Sequence, residues 1–206
     1  MNWLAHLYLS EQNIDYQLGN LLADPLKGKA WEGANSSFLH GILMHKSIDA
    51  YTDKHAVVLQ SKSRLGKRGY LKGVVIDIVY DYFLSKHWND FATLPKDDFL
   101  QHFYDEAARI AATYPKQTRV FVNNLIKSDK LNKYTHFSEL EHTFVRIDAR
   151  LSKTLKRKES TLAYLPIVIQ ECKKLETDFL HFFPTLRNHV KQNLDSRYLM
   201  HWKDPV

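Results

Sequence analysis

Residues 68–90 read RGYLKGVVIDIVYDYFLSKHWND, and the fold class turns on how this stretch is taken. Val74 to Val79 is rich in β-branched residues and would suit a buried strand. Yet the 17 residues from Val74 to Asp90 contain no Gly or Pro, and ordinary strands run to roughly five or six residues. The stretch reads as a buried helix.

The neighbouring segments repeat that period. Within residues 37–52, Phe38, Ile42, His45, Ile48, Asp49 and Thr52 fall along one stripe at steps of three and four. Within residues 97–112, Phe99, Phe103, Ala107, Ile110 and Ala111 do the same, with Pro95 where a helix would start. A further helix follows Pro115, through Val120, Phe121, Leu125 and Ile126. Others are expected over 133–152 and 160–181, with Pro166 a kink or late start and Pro184 opening the last helix. Only 7 Gly and 6 Pro in 206 residues leave little material for the turns of an all-β fold. With no repeats, low-complexity tracts or long linker, the expectation is all-α, one compact multi-helix domain over residues 1–206.

Composition narrows the setting. Cys172 is the single cysteine, which excludes an internal disulfide and a Cys-based zinc site and suits reducing cytoplasm. The opening MNWLAHLYLSEQNID lacks a basic leader region, and no window reaches the roughly 18 to 20 apolar residues of a membrane span. A soluble chain without a membrane partner is expected. The net charge of +6 favours an anionic partner. RNA-binding signatures such as an RGG tract, an RNP-like aromatic pattern or a zinc knuckle are missing, so nucleic acid is not the expected one.

Acids and histidines in the first half share helical spacings. His45 and Asp49 stand four apart, as do Asp49 and Asp53, and Asp77 and Asp81. Asp24 ends the apolar run GNLLAD, and His6 lies in an otherwise hydrophobic opening helix. Asp77 sits among Val74, Val75, Ile76, Ile78 and Val79, and a carboxylate buried there costs several kcal/mol unless paired or metal-bound. Any one His–Asp pair, taken alone, is an ordinary structural hydrogen bond. Several converging, without thiolate, suit a divalent metal such as Mn²⁺, Mg²⁺, Fe²⁺ or Zn²⁺. A di-iron bundle would need two Glu-x-x-His motifs, and only Glu139-Leu-Glu-His142 is present. GxSxG, GxxxxGK[ST], GxGxxG and HExxH are absent.

MNWLAHLYLS, LGNLLADPLKG, HGILMHKSIDAYTDKH, DIVYDYFLSKHW and RIDARL, in this order, resemble the acyl carrier protein phosphodiesterase family, a noncanonical branch of the HD-type metal-dependent phosphohydrolases. The resemblance implies an all-α, HD-domain-like fold and a divalent cation, Mn²⁺ first. It implies hydrolysis, by metal-activated water, of the phosphodiester joining 4′-phosphopantetheine to a serine of holo acyl carrier protein. The matching polar residues are His6, Asp24, His45, Asp49, Asp53, Asp77 and Asp81. Of these, Asp24, His45, Asp49 and Asp77 are the expected metal ligands, and His6 or Asp81 the group that orients water or protonates the leaving oxygen. The chain departs from the family pattern at Tyr82, where Asp-His-Phe-Leu is common, and at Lys46, where HRxID is usual. It also lacks an adjacent His–Asp dyad.

Two basic runs suit an acidic protein substrate. Residues 61–72 hold Lys62, Arg64, Lys67, Arg68 and Lys72 with no acid, and Arg64, Lys67 and Arg68 are the expected docking residues. The second run, RLSKTLKRK, would put Arg150, Lys153 and Arg157 on one helical face. Two other functions share these features: a related phosphohydrolase acting on a nucleotide or small phosphoester, and a non-catalytic helical module binding an acidic protein.

Overall fold

A computed structural model describes residues 1–132 and 136–203. Among them the elements are helical: α1 (Trp3–Tyr8), α2 (Ile14–Leu22), α3 (Ser36–Lys54), α4 (Ala56–Arg64), α5 (Lys72–Lys86), α6 (Trp88–Phe91), α7 (Lys96–Ala111), α8 (Lys116–Ser128), α9 (Ser138–Arg150), α10 (Lys153–Lys156) and α11 (Leu165–Lys191). The one β pairing among these residues is a bridge from Ala92 to Trp202. No described helix is long and apolar enough to cross a membrane.

The stretch that decided the fold class is α5. It buries Val75, Ile76, Ile78, Val79, Tyr80, Phe83 and Leu84, so apolar groups surround most of its circumference, as a core helix requires. Burial overrides the β preference of its Val and Ile residues. The helix stops at His87 and restarts as the single turn α6.

Helices α2 and α3 touch backbone to backbone. A Cβ added at Gly19 would lie 2.1 Å from Phe38 O, and one at Gly41 would lie 2.1 Å from Tyr16 O. Each helix starts on an asparagine cap, the Asn13 side chain accepting from Tyr16 N and that of Asn35 from Phe38 N.

Helix α11 packs on α3, α4 and α5 through Phe179, Phe182 and Leu186, all fully buried. Asp178, on the same helix, accepts from Ser61 Oγ at 2.7 Å and from Arg64 Nε at 2.7 Å, while Ser61 also meets Tyr80 Oη at 2.8 Å. The expectation that Pro184 opens the last helix is corrected here: Pro184 lies inside α11. Its interior cost of about 3 kcal/mol is outweighed by the buried aromatic side chains around it. Pro166 is a late start, near the first position of α11. The helix expected over 133–152 is α9 at 138–150, and residues 133–135 lie outside those described. Leu151 ends α9 in an extended conformation, so Arg150, Lys153 and Arg157 do not share one helical face.

The short α1 is held at both ends by distant residues. At its start, the fully buried Asp81 accepts Leu4 N at 2.7 Å and Ala5 N at 3.2 Å. At its end, Tyr8 O accepts His201 Nε2 and Trp202 Nε1, both at 2.8 Å. Six residues are too few for a helix to persist in water unaided.

Gly41→Ala tests the α2–α3 contact. Forcing a methyl against backbone should cost about 3 kcal/mol and lower Tm by roughly 6–12 °C. A scanning calorimetry shift under 2 °C would mean the helices can part without penalty.

Candidate metal centre

Four side chains from three helices meet beside the α2–α3 contact. His6 comes from α1, Asp24 from just past the end of α2, and His45 and Asp49 from one face of α3. His6, His45 and Asp49 each place a ligand atom within 4.8 Å of the other two. His6 Nε2 is 3.2 Å from Asp49 Oδ1, and His45 Nε2 is 3.1 Å from Asp49 Oδ2. The two imidazoles stack with centroids 4.2 Å apart. Asp24 approaches from the solvent side, its Oδ1 3.3 Å from His45 Nε2. A cavity of about 30 Å³, walled by His6, His45, Asp24, Asn20 and Trp3, opens onto the group. That is room for an ion or one or two waters.

Hydrogen bonding fixes which nitrogen of His6 carries the proton. Asn20 Nδ2 donates to His6 O at 3.0 Å and to Ser10 Oγ at 2.9 Å, which leaves Asn20 Oδ1 as an acceptor. His6 Nδ1 lies 2.8 Å from that oxygen and must be the donor. Burial, partly offset by Asp49, keeps His6 below its usual 6.5, so the ring is neutral and Nε2 bears a lone pair. That Nε2 is buried with no hydrogen-bond partner, 3.2 Å from a carboxylate oxygen. A lone pair facing an anion repels it unless a cation lies between them. The donor set therefore fits a divalent cation, held by imidazole nitrogen and carboxylate oxygen.

His45 is the opposite case. Burial alone would lower its pKa, but hydrogen bonds to Asp24 and Asp49 push it up to about 9. Asp49 follows the same balance: burial would raise its carboxyl, yet the His45 hydrogen bond and the nearby Met1 ammonium hold it far below the usual carboxylate range. The Met1 ammonium, fully buried, lies 3.1 Å from Asp77 Oδ1 and 3.8 Å from Asp49 Oδ1. Burial opposes its charge, and Asp77 and Asp49 together keep its pKa raised.

The sequence expectations sort as follows. Asp24, His45 and Asp49 come together in space, and His6 lies against Asp49 in the same cluster. Asp77 faces the same place but touches it through the Met1 ammonium. Asp81 is corrected: both its oxygens are taken by N–H groups of α1, and burial pushes its carboxyl up to about 7. It builds α1 and has no open path to a substrate. Asp53 is exposed and pairs with Lys62 at 2.8 Å. Arg64 is corrected as a docking residue, since Asp178 accepts from it twice, at 2.7 and 3.1 Å. Lys67 and Arg68 are exposed. Asn20 was not singled out from the sequence; its signal is a buried amide four residues before Asp24, on the same helical face.

A family profile described as acyl carrier protein phosphodiesterase matches residues 1–186. The chain belongs to the acyl carrier protein phosphodiesterase family. All seven of the polar positions named above fall within the matched span. Among curated relatives, the acyl carrier protein phosphodiesterase of Yersinia pestis is 28% identical over 93% of this chain and 98% of its own. That of Klebsiella pneumoniae subsp. pneumoniae is 26% identical over 90% of this chain and 95% of its own. That of Photorhabdus laumondii is 36% identical over 43% of this chain and 46% of its own. No solved structure matches.

Two measurements probe the centre. A cation must displace the His45 proton, so below about pH 9 binding of Mn²⁺ should release close to one proton and tighten as pH rises. In metal-free protein the sign is reversed: the His45 contribution to stability is full below 6.5 and fades as pH rises to about 9. Calorimetry at pH 7 in buffers of different protonation enthalpy reads the proton directly, and zero release would contradict this geometry. Separately, Asn20→Ala should weaken Mn²⁺ by roughly 10–100-fold by freeing the His6 ring, with the fold retained by circular dichroism.

Proposed function

We propose that the protein hydrolyses the phosphodiester linking 4′-phosphopantetheine to a serine of holo acyl carrier protein, releasing apo carrier protein and 4′-phosphopantetheine. The single observation that carries the chemistry is the orphaned His6 Nε2 facing Asp49, with His45 and Asp24 completing a nitrogen–oxygen donor set. The substrate rests on family membership and on relatives named for that activity.

His6, His45, Asp49 and Asp24 would hold the cation, Mn²⁺ first. The bound cation supplies Lewis acidity toward a phosphoryl oxygen and lowers the pKa of water. The chain's own residues do the rest. Asn20 keeps His6 in the tautomer that presents Nε2, and Asp24, the most exposed member, faces the approaching diester. Asp77 lies one shell out and, with its charge, supports the positive groups at the centre. An HD-type ancestry is part of this reading, as is a cytoplasmic setting, which the lone, half-buried Cys172 suits.

Mass spectrometry of holo carrier protein incubated with enzyme and Mn²⁺ should show loss of the prosthetic group. Chelation should abolish turnover, with Mn²⁺ restoring it better than Ca²⁺. His6→Ala, His45→Ala and Asp49→Ala should each lower kcat/KM at least a hundredfold. Turnover of free nucleotides with holo carrier protein left intact would move the enzyme to a different phosphoester, and full activity in excess EDTA after dialysis would remove the metal altogether.

A further inference from the structure

The concave surface does not end at the metal centre. Asn2 and Trp3, which wall that cavity, also wall a second one of about 170 Å³ reaching to α8 and α9. Its remaining polar walls include Lys130, Thr143, Arg146 and Arg150, and no carboxylate lines it among the described residues. The segment RIDARL at 146–151 explains how it is built. Asp148 turns away to accept Thr161 N and Thr161 Oγ1, both at 2.7 Å, which ties the 160–162 turn to α9. Arg146 and Arg150, one turn apart, are left toward the groove. Arg146 Nη2 donates to Thr143 Oγ1 at 2.6 Å, which aims its guanidinium, and Lys130 Nζ stands 5.0 Å over the Trp3 ring. Two like charges at this spacing repel each other, and no carboxylate among the described lining residues offsets Arg146 and Arg150. An anionic visitor would relieve that repulsion.

We propose that this groove is where an acidic surface of the protein substrate docks, so that carboxylates meet Arg146 and Arg150 while the scissile group enters the adjoining metal centre. The inference rests on the function proposed above. Continuity decides the choice of face: the groove shares Asn2 and Trp3 with the centre, whereas no residue of the basic run 61–72 walls either cavity. Within that run Arg64 is also committed to Asp178. A guanidinium fork matches a carboxylate with two parallel hydrogen bonds, which suits the pair on α9 to orienting a partner as well as attracting it.

The test is a double charge reversal, Arg146→Glu with Arg150→Glu, assayed on holo carrier protein with Mn²⁺. KM should rise about tenfold or more with kcat at saturation little changed, and kcat/KM should depend less steeply on salt than in the wild type. Calorimetric Mn²⁺ affinity should be unaltered, because neither residue reaches the cation. Arg150→Glu alone, at an exposed position, should show the same direction at smaller size and guards against misfolding of the double variant. An unchanged KM and salt slope in an active enzyme would overturn the groove, as would a larger loss from Lys67→Glu with Arg68→Glu. A fall in kcat with KM unmoved would also overturn it, by showing that the arginines act on the phosphoryl group. Wild-type enzyme with no turnover of the carrier protein would fail the proposed function itself and take this inference with it.

Discussion

The backbones of α2 and α3 are in contact where Gly19 meets Gly41, and the rest of the site follows from that approach. Any side chain at either position would hold the helices apart by the thickness of a methyl group. Asn20 and Asp24 follow Gly19 by one and five residues, and His45 and Asp49 follow Gly41 by four and eight. Helical geometry then leaves little freedom: with the crossing fixed, Asp24 must come near His45, and Asn20 must face α1. Two small residues thus set the distances between the side chains of four polar ones.

Charge balance is the second constraint. Asp24, Asp49 and Asp77 lie close together near the protein surface, and such a set is unstable without compensating positive charge. The chain provides some from within, through protonated His45 and the Met1 ammonium. His6 stays neutral because burial forbids another charge there. In the proposed function these fixed charges would be preorganised toward a cation before any substrate arrives.

Much of this was legible in the sequence, for identifiable reasons. α3 showed its period and its polar pair together, because His45 and Asp49 lie on the same stripe as Phe38, Ile42 and Ile48. α5 was legible from its length without Gly or Pro. Pro184 misled, since proline propensity is local while the packing that overrides it joins Phe179, Phe182 and Phe183 of α11 to the distant Tyr8, Tyr80 and Phe91. Asp81 misled because spacing cannot tell a carboxylate facing a helix start from one facing a substrate. Arg64 misled for a related reason: its partner Asp178 is 114 residues away, so a run without acids looked unpaired. His6 was read as a group that orients water or protonates the leaving oxygen; its bare Nε2 was not legible, because only the Asn20 contact reveals it.

The clasp on α1 has a consequence for how the cluster can come apart. His6 rides on a helix secured at its start by Asp81 and at its end by His201 and Trp202 through Tyr8 O. His45 and Asp49 share the single helix α3 and need neither anchor to stay together. Loosening α1 would therefore withdraw one imidazole and leave the other beside its carboxylate.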